Sequence, residues 1–262
     1  MTCNFGVFYT CYTENDAIEY NLKALYSIYP DCPVYLVSDG GNDFAYLEKQ
    51  YSSLKTSLEG DTRGWCQGSG ASDYLVQNQN YKTNPEIHQK LYDTAYAWME
   101  RQQRAIEFCK KDHMLVMEPD VLIRGKLNIP KKTKLMGPMA PNITPEAGWR
   151  HVLSKIDGAV DVYSWGWPYI YESKAFTEVF SFVKNNESIF RDFLMSDYRF
   201  GSAGDVTIPV LFAACGYSPS INPDVTECLR NPGWRTSGHP LLHQYRDAYP
   251  QVGSGYSGTH AK

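Results

Sequence analysis

The sequence has no C-x-x-C pair, no basic leader at its start, no excess of positive charge, and no apolar run near the ~18 residues that a membrane span requires. Each absence removes a class of protein. Cys3, Cys11, Cys32, Cys66, Cys109, Cys215 and Cys228 are odd in number and scattered, which reads as reduced thiols in a cytoplasmic chain. Met1-Thr2-Cys3-Asn4 passes straight into a strand-like run, so neither a signal peptide nor an integral membrane segment is expected. The net charge of −4 is spread over both signs and gives no electrostatic case for a nucleic-acid partner or an anionic membrane. No internal repeat and no interdomain linker break the chain, so residues 1–262 are read as one domain.

The apolar share of 43% is ample for a core. Phe5-Gly6-Val7-Phe8-Tyr9 has the pattern of a short buried strand. Thr13-Glu14-Asn15-Asp16 carries a capping-box signature, and the helix it opens places Ala17, Ile18, Leu22, Leu25, Tyr26 and Tyr29 on one face. Val34-Tyr35-Leu36-Val37 is the next strand, Asp39-Gly40-Gly41 is its turn, and a short helix is expected over about 43–51. A β-α-β-α opening implies a parallel sheet with helices on its faces, and ligands of such sheets sit beyond the carboxyl ends of the strands. Thr10, Tyr12 and Asp39 fall at those ends.

Residues 60–84 are glycine-rich and aperiodic, and read as a lid carrying Arg63 and Trp65 or as a plain surface loop. Asn84-Pro85-Glu86 then opens a long helix, with Asn as N-cap and Pro at the first helical position. An apolar strand follows and stops in Glu118-Pro119-Asp120. In the second half, 134–139 and 161–171 read as strands and helices are expected after Ser173 and around 189–194. A further helix runs from an Asp205 cap to about Cys215, with Gly216 as its stop.

The acid pair carries the chemistry. In an extended strand, residues two apart share a face, and Pro119 holds Glu118 extended. Two carboxylates that close repel unless one is protonated or a cation lies between them. Mg²⁺ or Mn²⁺ held by one or two carboxylates completes its shell with phosphate oxygens and water, and a nucleoside diphosphate is the natural partner. The alternative is two solvated acids at a strand end.

This segment resembles the D-x-D region of the GT-A-fold glycosyltransferases, with Glu118 in the first acidic place. Leu115 to Val121 is also similar to the E-P-D variant of some groups, among them plant hydroxyproline arabinosyltransferases, over this short stretch alone. The broader resemblance implies an α/β GT-A fold: a Rossmann-like, mostly parallel central sheet flanked by helices, with a smaller acceptor-side region. Residues 1–123 would form the nucleotide-binding half, and 124–262 the acceptor-binding half and tail. It implies transfer of a sugar from a nucleoside-diphosphate sugar, preferably UDP-linked, to a carbohydrate or glycoconjugate acceptor. Thr10, Tyr12 and Asp39 would lie on the uridine side. Glu118 and Asp120, with His243 or His239 brought back from the tail, would hold the cation, His243 being favoured. Arg235 and Arg246 are candidates to neutralise the departing diphosphate. Trp165, Gly166 and Trp167 would face donor sugar and acceptor, unless the tryptophans are core. Gly204-Asp205-Val206 is similar to the segment with the base of inverting members, and Asp161 and Asp197 are lesser candidates. Asp205 follows Gly here, not a second acid, and helix capping is its other reading.

Three competing functions remain open at this point. A retaining transferase would use the same donor. A sugar nucleotidyltransferase is disfavoured, because Thr10-Cys11-Tyr12-Thr13 has neither the glycines nor the basic residue of a phosphate loop. A non-catalytic sugar-binding module would need Trp165 and Trp167 and not the acids.

Overall fold

The computed structural model describes residues 3–60, 84–138, 148–162, 168–196, 203–228, 233 and 235–243. The first half runs β1 (Phe5–Cys11), α1 (Asn15–Ile28), β2 (Val34–Asp39), a 3₁₀ turn (Ala45–Lys49), β3 (Leu54–Glu59), α2 (Pro85–Cys109) and β4 (His113–Met117). The second half adds β5 (Leu122–Ile123), β6 (Leu135–Gly137), α3 (Gly148–Leu153), β7 (Ile170–Glu172), α4 (Ser173–Asn185) and α5 (Glu187–Ser196). It closes with α6 (Ala203–Ala214), β8 (Ser220–Ile221), β9 (Val225–Glu227) and β10 (Leu241–His243).

Seven of these strands form one mixed sheet in the order β3-β2-β1-β4-β7-β6-β8. β3, β2, β1 and β4 are parallel; β7 runs antiparallel to β4 and β6, and β6 is parallel to β8. β1 and β4, at the centre of the sheet, are buried on both faces, as helical crossovers require. Phe8, Met114 and Val116 point to one side, against Trp98 of α2, Phe176 of α4, Phe190 of α5 and Phe212 of α6. Val7, Tyr9, Leu115 and Met117 point to the other, against Ile18, Leu22 and Leu25 of α1. The strand alternation that reads as continuous apolar sequence is thus divided between two cores. The fold is the expected one: an α/β molecule with a mostly parallel central sheet between helices.

Local chemistry explains the helix ends. The Glu86 amide donates to Asn84 Oδ1 at 3.0 Å, so the expected cap of α2 forms with Pro85 in the first turn. α1 differs from expectation, because no side chain caps its amides. Glu14 turns back instead, and its Oε2 accepts from the Tyr12 and Thr13 amides at 3.0 and 2.9 Å. α6 begins at Ala203, which makes Asp205 its third residue and not its cap. It ends as expected at Gly216, whose φ of 79° is costly for any residue with a Cβ. β3 was not anticipated: its exposed and buried residues are mixed, and pairing with β2 along Leu54 to Glu59 makes it a strand. Of the β-like run 161–171, residues 163–167 lie outside the described residues and Ile170–Glu172 is strand.

Candidate functional site

β4 stops at Met117, and the next four residues turn: the Val121 amide donates to the Glu118 carbonyl at 2.9 Å. Pro119 occupies the second place of this turn, where its fixed φ is favoured. The acids are therefore brought together by a turn and not, as the strand reading expected, by alternation along an extended strand. Asn21 of α1 holds the turn from beneath. Its amide donates to the Pro119 carbonyl at 2.8 Å and to the Tyr9 hydroxyl at 3.0 Å, fully buried.

The tail returns to this corner by strand pairing. β10 runs antiparallel to β5, with Leu242 opposite Leu122, and parallel to β9, with His243 beside Glu227. Arg124 fastens the approach: its amide donates to the Pro240 carbonyl at 2.8 Å and its Nε to the His239 carbonyl at 2.7 Å. The two segments meet so closely at Gly125 that an added Cβ would lie 2.9 Å from the Pro240 Cβ. Consequently Glu118 and Asp120, and His243 more than 120 positions later in the sequence, present ligand atoms within 4.8 Å of one another.

His243 Nδ1 lies 2.6 Å from Glu227 Oε1. Burial disfavours a charged imidazole, yet Glu227, Asp120 and Glu118 outweigh it and push the His243 pKa up to about 10. Three carboxylates around one ring, with Glu118 only 8% exposed, are a surplus of negative charge out of water. The donor set of two carboxylates and an imidazole suits a divalent cation such as Mn²⁺ or Mg²⁺, whose charge would replace that proton.

The same sheet edge carries Thr10, Tyr12 and Asp39. Asp39 is fully buried, and the Thr10 hydroxyl donates to its Oδ2 at 3.0 Å. Its other oxygen pairs with the Arg101 guanidinium of α2, which also donates from Nε to Glu59 Oε2 at 3.0 Å. Arg104 binds Glu59 as well, at 2.6 Å. This network ties the ends of β2 and β3 to α2. Tyr12 lies in the turn after β1, where its carbonyl accepts from the Asn42 amide at 2.8 Å. A Cβ on Gly41 would fall 2.1 Å from that carbonyl oxygen, so only glycine permits the approach.

Not every expected residue joins the corner. His239 contributes its carbonyl to Arg124 and is not in the group formed by Glu118, Asp120 and His243. Arg235 offers its carbonyl to Arg124 at 3.4 Å. Asp161 accepts from the Val162 amide at 2.9 Å and faces Arg150 Nε at 3.7 Å. Asp205 stands in the first turn of α6, with its side chain outside the described residues. Trp165, Gly166, Trp167, Arg63, Trp65, Asp197 and Arg246 also lie outside them. Sequence reasoning missed Asn21, Arg101, Arg124 and Glu227. Only Asn21 left a signal, as a polar residue within the buried stripe of Ile18, Leu22 and Leu25.

No protein-family model matches the chain, and no curated protein does. Among solved structures, the chain is similar to galactosyltransferase LgtC in complex with donor and acceptor sugar analogues. That match has 13% identity and a TM-score of 0.47, and covers 92% of this chain and 87% of that one. It is also similar to an active-site variant of LgtC, with 11% identity, a TM-score of 0.48 and the same coverage. These are distant likenesses of chain path, and the functional reading rests on the side chains at the sheet edge.

Proposed function

We propose that this chain is a divalent-metal-dependent glycosyltransferase. It moves a sugar from a nucleoside-diphosphate sugar, UDP-linked by preference, to a hydroxyl of a carbohydrate or glycoconjugate. The gathering of Glu118, Asp120 and His243 beyond the carboxyl ends of parallel strands carries this reading. These three residues would hold Mn²⁺ or Mg²⁺, which when bound supplies a Lewis acid to the leaving diphosphate. Thr10, Tyr12 and Asp39 form the base and ribose side, with Asp39 fixed by Arg101. Trp165, Gly166 and Trp167 take the sugar and acceptor. Asp205 accepts the proton of the acceptor hydroxyl as its oxygen bonds to the anomeric carbon. The bond from that carbon to the diphosphate breaks, the pair of electrons leaves with the phosphate, and the configuration inverts.

The test is release of UDP from a panel of UDP-sugars with Mn²⁺ and mixed glycan acceptors. The reading expects release from at least one donor, lost on chelation and in Asp120→Ala. No release from any donor of the panel, or UDP release untouched by chelation, contradicts it.

A further inference from the structure

We propose that Glu227 is a positioning residue that sets His243 as a metal ligand through Nε2; the inference rests on the cation site proposed above. The contact is specific. Glu227 and His243 are paired across the parallel β9–β10 ladder, and the Cys228 amide, donating to the His243 carbonyl at 2.9 Å, fixes the register next to them. Their side chains are only 11% and 12% exposed, so the 2.6 Å contact is made away from bulk water. An imidazole has two ring nitrogens, and the hydrogen bond made by one decides what the other does. With the Nδ1 proton donated to Glu227, Nε2 is the nitrogen with a lone pair for a cation. The carboxylate also makes the ring a stronger donor and restrains its rotation. β9 thereby has a role in the site, although it contributes no ligand itself.

Mn²⁺ binding to the full chain, followed by electron paramagnetic resonance without nucleotide, tests this. Glu227→Gln keeps an acceptor oxygen for Nδ1–H and loses the charge; Glu227→Ala loses both. Loss of such a supporting partner weakens metal binding by about 10–100-fold, so Ala should lie near the top of that range and Gln near the bottom. The thermal midpoints of the metal-free proteins, read alongside, separate this from a merely structural role, which would lower the midpoint and leave Mn²⁺ affinity unchanged. Should the Ala variant not fold, Gln decides alone. Wild-type affinity in Glu227→Gln, or equal weakening in both variants, overturns the positioning role. A wild-type chain that binds no Mn²⁺ overturns the cation site itself and this inference with it.

Discussion

Asn21 of α1 supports the turn that carries the two acids. Its side-chain amide donates to groups that shape the corner: the carbonyl of Pro119, between the two acids, and the hydroxyl of Tyr9. Truncation to Ala leaves the Pro119 carbonyl buried without that donor, a loss of about 1–3 kcal/mol. Asn21→Ala should therefore lower the urea midpoint and weaken Mn²⁺ binding together, as the Glu118–Val121 turn loosens. Unchanged Mn²⁺ affinity in a destabilised variant would show that the turn holds its shape unaided. The residue was legible only as an anomaly in an apolar stripe, because its partner Pro119 lies 98 positions away.

At the scale of elements, two short strands do what no long helix does: β5 and β10 bring the tail to the acid turn. Gly125 is a close point of that closure. Gly125→Ala should displace Pro240 and with it β10, weakening Mn²⁺ binding while the circular dichroism of the helices persists. Full affinity in this variant would mean that the tail reaches the corner independently of that contact. The elements also show what sequence reading can and cannot reach. α2 was legible because its cap, Asn84 with Pro85, is a local matter of three residues. The acid pair was legible because Pro119 constrains its neighbours whatever the fold. β3 and the reversed direction of β7 were not, because both depend on partners, Val34 to Asp39 and His113 to Leu115, that no local pattern specifies. Asp205 was misplaced as a cap, because α6 already begins at Ala203, three residues before the start that an Asp205 cap implies.

Across the whole molecule, acidic side chains are anchored along the sheet's first edge, β3. Burial works to raise the carboxyl pKa of Glu59, but Arg104, Ser57 and Arg101 outweigh it and hold the group below its ordinary value. The Thr56 amide and hydroxyl do the same for Glu48, at 2.7 Å each, against the effect of burial. A carboxyl depressed in the folded state contributes stability that is complete above its unfolded pKa, about 4.3 for Glu. That contribution fades as pH falls through the folded value. Urea midpoints should therefore decline as pH falls below about 5, more shallowly in Glu59→Gln. A midpoint that rises on acidification would contradict the network linking β2, β3 and α2.

The central claim is that a turn, a strand end and a returning tail form one cation site, and a crystal of the chain soaked in Mn²⁺ and UDP tests it most directly. Anomalous scattering recorded at the manganese edge should show a single strong peak within coordination distance of Glu118, Asp120 and His243, with diphosphate oxygens completing its shell. A map with no peak at that corner, or with manganese bound elsewhere, would contradict the account.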